Sequence, residues 1–348
     1  MSAAPTEPHP STQSPATVPV RTGTEAERTS PLAWIVIRWC RLIVLAGFLP
    51  PIGWVAGRYW WPIDLLSHFP FQAILGLSVA LLAAICLRRG RLAAAVSVPL
   101  AVNLLAIASL SWPAAAVQAD GPRLKICSAN VHVDNMDAAP LLEWLRREKP
   151  DVLYISELTP KYDAAVRASG LFAFAFSRSE LDSPWGAALY STRPLKEARF
   201  LPRSFGCPTM VARIDVEGTP LLIAGAHPVP PAGPRFTRLR DELLAETAGE
   251  LRGRTEPVVL CGDFNATPWS YAFRDLLSVA RLRDGRQGYG FKATWPQGNP
   301  VLSIPIDHVL VSETIAVRDF RVGPAVRSDH YPVISEIQLA RPAGGRAD

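Results

Sequence analysis

The sequence predicts an α/β domain of two packed sheets covered by helices, which follows an N-terminal helical membrane region. Two observations carry this prediction. Residues 31–118 hold long uncharged stretches, whereas residues 121–340 alternate short β-branched segments with segments of helical periodicity. The chain has 348 residues, enough for one or two domains. The second segment alone has the size of one large α/β domain.

The two ends of the chain predict flexible tails. Residues 1–30 are rich in Pro, Ser and Thr and contain almost no large apolar side chain. Ordering such a segment buries too little apolar surface to offset the lost conformational entropy. We therefore expect a disordered N-terminal tail, and a short flexible C-terminal tail over residues 341–348.

The apolar region contains three candidate membrane spans, at about 31–57, 69–87 and 92–117. The second and third are uncharged and close to or above the roughly 20 residues that a helix needs to cross a bilayer. The first holds Arg38 and Arg41, which can extend to the surface, and Pro50, which would kink the helix. The alternative, buried helices of a soluble domain, fits two such uncharged runs poorly.

The basic residues predict an orientation. Arg88, Arg89 and Arg91 form the short loop between the second and third spans, and loops rich in Lys and Arg stay cytoplasmic. The third span then exits on the far side. We expect a multi-pass protein of the inner membrane with residues 121–340 on the periplasmic, extracytoplasmic side.

The charge of the domain bears on its partners. Residues 121–348 carry 28 Lys and Arg against 26 Asp and Glu, so they contribute only +2 to the net charge of +5. Proteins that bind long duplex DNA make many basic contacts. The balance leans away from that class of partner.

The five cysteines do not predict a disulfide framework, because their number is odd and their spacing suits no zinc site. Buried free thiols are the default expectation. Cys127 and Cys261 fall in predicted strands and could pair if those strands were neighbours. The state of these two and of Cys207 stays open at this point.

Eight segments predict strands, being short, β-branched and bounded by turn residues: 123–130, 151–157, 185–191, 209–216, 220–227, 256–263, 306–312 and 332–339. Four segments between them have helical spacing: 137–149, 161–169, 235–252 and 268–280. Asp137 and Thr267 are the predicted helix caps.

Polar side chains recur where these strands begin or end: Asn130, Glu157, His227, Asp263, Asn265, Asp307, Asp329 and His330. Each alone has a structural explanation, such as a turn, a surface ion pair or a satisfied core histidine. Together they repeat one position relative to a strand, which favours a common site at a sheet edge.

These positions lie in motifs that resemble a family. The motifs are SAN (128–130), SE (156–157), WGAALYST (185–192), GAHP (225–228), GDFNATP (262–268), ATWP (293–296), IDHVLVS (306–312) and SDHYP (328–332). They are similar, in this order, to the motifs of the endonuclease/exonuclease/phosphatase superfamily, the superfamily of deoxyribonuclease I. The apolar N-terminus resembles that of the membrane-anchored bacterial members of this superfamily. The resemblance covers 123–340 and implies a four-layer α/β/β/α sandwich.

The residue types suit phosphodiester hydrolysis, which needs a cation on the phosphate, a positioned water and a proton donor. Glu157 and Asp329 are the expected metal ligands, with Asn130 assisting through its carbonyl. Magnesium prefers oxygen ligands and is the expected ion, with Mn²⁺ as the alternative. No Cys and His cluster in the sequence supports zinc.

The remaining five residues have catalytic roles in this interpretation, and the resemblance assigns the same ones. Asp263 would orient or deprotonate the attacking water, and Asn265 would donate to a phosphate oxygen. His330 would contact the phosphate or transfer a proton, with Asp307 fixing its tautomer and raising its pKa. His227 would protonate the leaving oxygen or stabilise the pentacovalent state.

Three neighbours of these residues also carry expectations. Asp329 and His330 must sit in a turn to face one site, because adjacent strand residues point to opposite faces. Ser328 is the candidate cap of that turn. His308 is expected to face outward. Trp295 either lines the cleft or is buried in the sheet.

The predicted function is a membrane-anchored, divalent-metal-dependent phosphoesterase acting on nucleic acid, phospholipid or another small phosphoester. Endonuclease, exonuclease and phosphatase action all stay open, as does the oligomeric state. The alternatives are a catalytically silent module that binds a phosphate or ligand, and a structural membrane protein. Intact acidic and histidine residues disfavour both.

Overall fold

The structure is a computed structural model that describes residues 30–181, 183–201, 206–207 and 209–341. The tails predicted for 1–30 and 341–348 lie outside the described residues, apart from Ser30 and Arg341.

The apolar region is helical. Its helices are α1 (Pro31–Gly47), α2 (Leu49–Ala56), α3 (Trp61–Leu66), α4 (Pro70–Cys86) and α5 (Gly90–Ser109). Two stretches, Pro31–Tyr59 and Gly90–Ser109, are long and apolar enough to cross a membrane, and α4 is apolar but has only 17 residues.

Two predicted spans differ from the observed helices. The first is interrupted at Phe48, and Pro50 lies in the first turn of a new helix, where proline is tolerated. The third was expected to run to residue 117 but its helix ends at Ser109. Pro113 explains the early end, because proline disfavours helical backbone in the residue before it.

The remaining chain forms two six-stranded sheets in the described residues. The first has the order β11-β12-β1-β2-β4-β3 and the second β5-β6-β7-β8-β10-β9. The strands are β1 (Arg123–Asn130), β2 (Val152–Ser156), β3 (Phe174–Arg178), β4 (Ala187–Ser191), β5 (Lys196–Phe200), β6 (Thr209–Val216), β7 (Thr219–Ala226), β8 (Val258–Asp263), β9 (Leu282–Asp284), β10 (Asp307–Ser312), β11 (Ala316–Val322) and β12 (Val333–Gln338). Both sheets are mixed, since β1 runs parallel to β2, and β7 to β8.

Three apolar cores separate four layers. The central core lies between the sheets and includes Ile126 from the first and Val259 from the second. Helices α6 (Ala139–Glu148) and α7 (Pro160–Ala168) cover the first sheet, and α8 (Pro234–Leu251) and α9 (Tyr271–Ala280) cover the second. The predicted α/β/β/α sandwich is confirmed.

All eight predicted strands are present, and the four that were not predicted are β3, β5, β9 and β11. These four are the outer strands of the two sheets. Most of their residues are partly or fully exposed, and β5 reads KEARF. Edge strands carry charge and pack on one side only, so they lack the apolar signal of inner strands.

Both predicted helix caps are wrong, since α6 begins at Ala139 with Ala138, not Asp137, as its N-cap residue. Helix α9 begins at Tyr271 with Ser270 as its N-cap residue, not at Thr267. Residues 267–270 close a turn in which the Ser270 N–H donates to the Thr267 carbonyl. The hydroxyl of Thr267 contacts His68 of the apolar region instead. At α6 the Asp137 carboxylate does accept from the Ala139 N–H, at 3.0 Å.

Each of the five cysteines is a free thiol. Cys127 lies on β1 of the first sheet, on the face covered by helices, and Cys261 lies on β8 of the second sheet, in the central core. The two strands belong to different sheets, so the condition for their pairing is not met.

The apolar region packs directly against the sandwich. Asp64, after the start of α3, forms a fully buried ion pair with Arg240 of α8, with Oδ2 and Nη2 2.7 Å apart. Phe71 of α4 stacks on Phe291 at a centroid distance of 5.1 Å. The Trp269 indole donates to a carbonyl near the end of α5. One end of the helical region therefore meets the loops after β8 and before β10.

Candidate active site

The eight predicted site residues form one cluster where the two sheets meet. Each has a polar atom within 4.0 Å of another member. They come from the ends of β1, β2, β7 and β8, the start of β10 and the turn before β12. Side chains spread over two hundred positions thus converge on a single cleft.

Asn130 joins two carboxylates. Its Nδ2 donates to Glu157 Oε1 at 2.8 Å and to Asp263 Oδ2 at 3.1 Å. Its Oδ1 accepts from the His132 N–H. The amide nitrogen, and not the predicted carbonyl ligand, therefore faces the carboxylates. Glu157 has a φ of +57° and also accepts from the Val133 N–H, which fixes its carboxylate at the end of β2.

Two glycines let the sheets approach at the site. Gly262 precedes Asp263 and has a φ of +145°, and a Cβ there would lie 1.9 Å from the Ala226 carbonyl. A Cβ at Gly225 would lie 2.2 Å from the ring of Tyr154. The motifs GDFN and GAHP therefore need glycine so that β7 and β8 can close over the Tyr154 ring of the opposite sheet.

Asp263 and Asn265 share a tight turn. Asn265 has a φ of +48°, a conformation that asparagine tolerates better than most residues, and its N–H donates to Asp263 Oδ1 at 2.9 Å. Its Nδ2 donates to the Pro228 carbonyl at 3.0 Å. One amide hydrogen is therefore engaged in holding the β7 loop.

Asp307 and His330 form a buried pair. His330 Nδ1 lies 2.9 Å from Asp307 Oδ2, and Asp307 is the cross-strand partner of Asp263. Burial opposes charge on His330, but the carboxylates of Asp307 and Asp263 outweigh it and raise the pKa of His330 to about 10. Ser328 accepts from the His330 N–H and donates to the Asn130 carbonyl, so the predicted turn is present.

His227 lies on the other side of Asp263. Its Nε2 is 3.5 Å from Asp263 Oδ2 and 3.8 Å from Glu157 Oε1. Burial acts against charge here too, yet the Asp263 hydrogen bond and both carboxylates raise the pKa of His227. The ring of Trp185 packs 5.8 Å from the imidazole. Trp185 was not selected from the sequence, although it opens the WGAALYST motif.

Asp329 lies at the open side of the cluster, with a side chain 45% exposed. Its Oδ2 accepts from the Trp295 indole at 2.9 Å, and the Trp295 ring lies 6.2 Å from His330. Trp295 is itself 36% exposed. Of the two alternatives for this tryptophan, lining the cleft is therefore the observed one.

The donor set fits a hard divalent cation. Asp263, Asp307 and His330 present ligand atoms within 4.8 Å of one another, and Glu157 and Asp329 flank them. Asp307 Oδ1 is buried with no hydrogen-bond partner among the described residues. Carboxylates gathered this closely need compensating positive charge, and oxygen donors suit Mg²⁺ or Mn²⁺.

The buried residues of this donor set and the two flanking carboxylates differ in their exposure to solvent. His330 donates to Asp307 and holds a proton, which makes it a poor metal ligand. Glu157 and Asp329 are 15% and 45% exposed. Magnesium keeps several waters, which suits the more exposed carboxylates better than the buried ones.

His308 was expected to face outward, and this is wrong. It points away from the site but is fully buried under α9, with its ring 4.4 Å from that of Phe273. Its Nε2 donates to the Ala266 carbonyl at 2.8 Å, and Arg286 approaches Nδ1 at 3.2 Å. Burial and the Arg286 charge hold the pKa of His308 well below its usual value.

Two further buried side chains contact the loop at residues 263–267 on the side away from the catalytic cluster. Arg240, paired with Asp64, donates to the Asn265 carbonyl at 3.3 Å. His68 Nδ1 lies 2.8 Å from the hydroxyl of Thr267. These contacts were not predicted. The one available signal was Asp64 itself, the only acidic residue between Arg58 and Arg88 in an apolar region.

The comparisons with known proteins agree with this geometry. Residues 127–330, more than half of the chain, match the model of the Endonuclease/Exonuclease/phosphatase family. No curated protein sequence matches the chain.

Solved structures share the fold. Humanized D. rerio TDP2 is 16% identical with a TM-score of 0.53, covering 62% of this chain and 99% of that one. The 3′ phosphatase NExo from Neisseria, bound to a product DNA hairpin, is 22% identical with a TM-score of 0.51, covering 61% and 98%. An endonuclease/exonuclease/phosphatase from Beutenbergia cavernae is 18% identical with a TM-score of 0.52, covering 63% and 72%.

Identities this low show the fold alone, but the family match rests on the sequence itself. Family enzymes are generally divalent-metal-dependent hydrolases. The chain belongs to the endonuclease/exonuclease/phosphatase family.

Proposed function

We propose that this protein is a membrane-anchored phosphoesterase that hydrolyses a phosphodiester with a divalent metal ion and a positioned water. The observation that carries the proposal is Asp263, a buried carboxylate between two imidazoles, with Nε2 atoms at 3.5 Å and 3.7 Å. A carboxylate so placed can accept a proton from water while both imidazoles face the phosphate.

Glu157 and Asp329, with Asn130 beside them, would hold Mg²⁺ or Mn²⁺. When bound, the ion supplies charge neutralisation at the phosphate oxygens. Asn130 also keeps the carboxylates of Glu157 and Asp263 together, because its Nδ2 donates to both.

The other residues divide the proton chemistry. Asp263 orients the water and takes its proton, while His330 remains protonated and contacts the phosphate as a cation. Asp307 keeps that imidazole charged and aligned through its contact with Nδ1. His227, also biased toward its protonated form by carboxylates, donates a proton to the leaving oxygen. Asn265 holds the turn and offers its remaining amide hydrogen to a phosphate oxygen.

The proposed location is the inner membrane, with the catalytic domain outside the cytoplasm. The domain meets the beginning of α4 and the end of α5. Arg88, Arg89 and Arg91 lie at the other ends of these helices and line a cavity of 470 Å³ together with Arg38 and Arg41 from the middle of α1. Basic clusters of this kind mark the cytoplasmic side. Alkaline phosphatase fused after residue 341 should be active, and an inactive fusion would contradict this topology.

The decisive experiment uses the full chain purified in detergent, with bis-p-nitrophenyl phosphate as substrate. We expect hydrolysis with Mg²⁺ or Mn²⁺ and none with EDTA. Asp263→Asn should lower kcat by about 100-fold or more, the usual share of a general base. Asp215→Asn, which changes an exposed carboxylate on β6, is the matched control and should leave kcat unchanged. An Asp263→Asn variant as active as the wild type would reject the mechanism.

Substrate class is the finer part of the proposal. The neighbours NExo from Neisseria and D. rerio TDP2 were solved with DNA products, which supports nucleic acid as one class. Phospholipids and other small phosphoesters form the second class. If the chain binds phosphoesters without hydrolysing them, the alternative of a silent binding module replaces the enzyme.

A further inference from the structure

An apolar cavity of 460 Å³ lies where helix α4 meets the loop before β10 and the turn before β12. Its lining contains no charged residue and includes Phe71, Phe291, Pro300 and Tyr331. Tyr331 follows His330 directly in the chain, so the segment that lines the cavity also carries the imidazole that is proposed to face the phosphate.

The two hydroxyl groups in the lining of this cavity already have hydrogen-bond partners. The Ser303 hydroxyl lies 2.5 Å from the Pro296 carbonyl and 2.9 Å from that of Asn299. The Tyr331 hydroxyl accepts from the Gly298 N–H. The cavity therefore presents carbon surface to an occupant and little hydrogen-bonding capacity.

One wall of the cavity belongs to the apolar region. Phe71 lies in the first turn of α4, and the next residue, Gln72, donates to the Val301 carbonyl at 2.9 Å. The loop that forms the opposite wall exposes Val301 and Leu302 by 53% and 52%. The cavity thus has helix α4 on one side and the segment that carries His330 on the other.

We infer that this cavity binds the apolar group of an amphiphilic phosphoester, such as an alkyl or acyl chain, while the phosphate lies at Asp263 and His330. The inference rests on the proposed function and names its substrate class. It follows from the position of the cavity between helix α4 and the segment that carries His330, because with the proposed membrane anchor a substrate in the bilayer would approach along α4. The small net charge of residues 121–348 is consistent with this inference, since binding an apolar chain needs no row of Lys and Arg side chains.

A series of chromogenic diesters that differ only in chain length tests this inference in the full protein. The substrates are the p-nitrophenyl diesters of methyl phosphate and dodecyl phosphate, used below the critical micelle concentration of the latter. We expect kcat/KM for the dodecyl diester to exceed that for the methyl diester by at least about tenfold, through KM, because each buried methylene favours binding.

The variant Ala293→Phe places a ring in the cavity and should bring the ratio of the two kcat/KM values close to one. Phe71→Ala, which removes the wall given by α4, should lower the ratio severalfold and serves if Ala293→Phe does not fold. The matched control is Val279→Phe, in a second cavity of 470 Å³ between α8 and α9, which should keep the wild-type ratio.

The outcomes separate the two levels of the proposal. If the wild type hydrolyses neither diester with Mg²⁺ or Mn²⁺, the proposed function fails and the substrate class falls with it. If both diesters react equally, or the ratio is unchanged in Ala293→Phe and Phe71→Ala, the phosphoesterase stands and the apolar subsite is refuted. A p-nitrophenyl ester of thymidine 5′-phosphate that outperforms the dodecyl diester would assign the cavity to a nucleobase instead.

Discussion

The two sides of the loop at residues 263–267 carry histidines in opposite states. On the front, His330 donates from Nδ1 to Asp307, and neighbouring carboxylates raise its pKa to about 10. On the back, His308 donates to a carbonyl from Nε2 and faces the cation of Arg286 from Nδ1. Burial, which lowers histidine pKa values, is nearly complete on both sides. The neighbouring charge therefore decides which imidazole is a cation.

His68 extends the comparison to the apolar region. Both the hydroxyl and the N–H of Thr267 approach its Nδ1, at 2.8 Å and 3.4 Å, so this nitrogen accepts and the ring is neutral. Burial lowers the pKa of His68 to about 4, against the smaller opposing effect of Asp64. The front of the loop is thus built for charge and the back for neutral support.

Replacing the front histidine should have the largest effect. We expect His330→Gln to lower kcat by about 1,000-fold, because the loss removes a cation at the phosphate and general acid or base residues contribute 10² to 10⁴. Steady-state hydrolysis of bis-p-nitrophenyl phosphate by the full chain measures this. The comparison breaks if His308→Gln, at the back, reduces kcat as much as His330→Gln does.

Breaking the ion pair behind the loop should act mainly on stability. Asp64→Asn leaves the buried guanidinium of Arg240 with Asp241 as its remaining ion-pair partner among the described residues. Removal of one member of a buried pair costs about 3 kcal/mol or more. Thermal unfolding of the detergent-solubilised chain should show a clear drop in midpoint. Arg58→Ala, which removes an exposed ion pair to Asp275 at the same contact, is the control and should shift the midpoint little.

His308→Gln tests the neutral support directly. Gln loses the ring contacts with Phe264 and Phe273, and its single amide group cannot replace both ring nitrogens, which contact Arg286 and the Ala266 carbonyl. We expect a loss of about 2 kcal/mol of stability, and a decrease in kcat of about tenfold as the Ala266 carbonyl is released. Unchanged kcat with reduced stability would show that the back of the loop does not position the front.

The smallest effect concerns pH. The folded pKa of His68, about 4, lies below the ordinary 6.5, so the unfolded chain binds more protons between these values. Stability from this residue is therefore full above pH 6.5 and is lost as the pH falls toward 4. Between pH 7 and 5.5 the loss is about 1.2 kcal/mol. His68→Gln should show a smaller decrease in unfolding midpoint over this range, whereas His132→Gln should match the wild type.

The front of the loop could be predicted from the sequence, and the back could not. Asp263, Asp307 and His330 stand at strand ends inside local motifs, so their position relative to a strand was visible. Arg240 lies within a helix and His68 within an apolar region, and neither has a local pattern that pairs it with a loop 25 or 199 residues away. Tertiary packing alone brings them together.

The strands also divide into those that could be predicted from the sequence and those that could not. The inner strands were predicted because two packed faces demand β-branched, apolar residues. The outer strands carry alternating charge, which resembles a loop in sequence. The end of the third apolar helix at Ser109 also depended on context, since Pro113 permits several end points upstream.

The charged outer strands have a consequence for crowding in the plane of a membrane. Lys196, Glu197 and Arg199 lie along the free margin of β5, and Arg318, Asp319 and Arg321 along that of β11. With the proposed membrane anchor, copies of the domain would meet far more often than freely diffusing copies do. Such charged edge strands deter one copy from extending the sheet of the next. Copies at high surface density would therefore stay separate instead of joining into fibres.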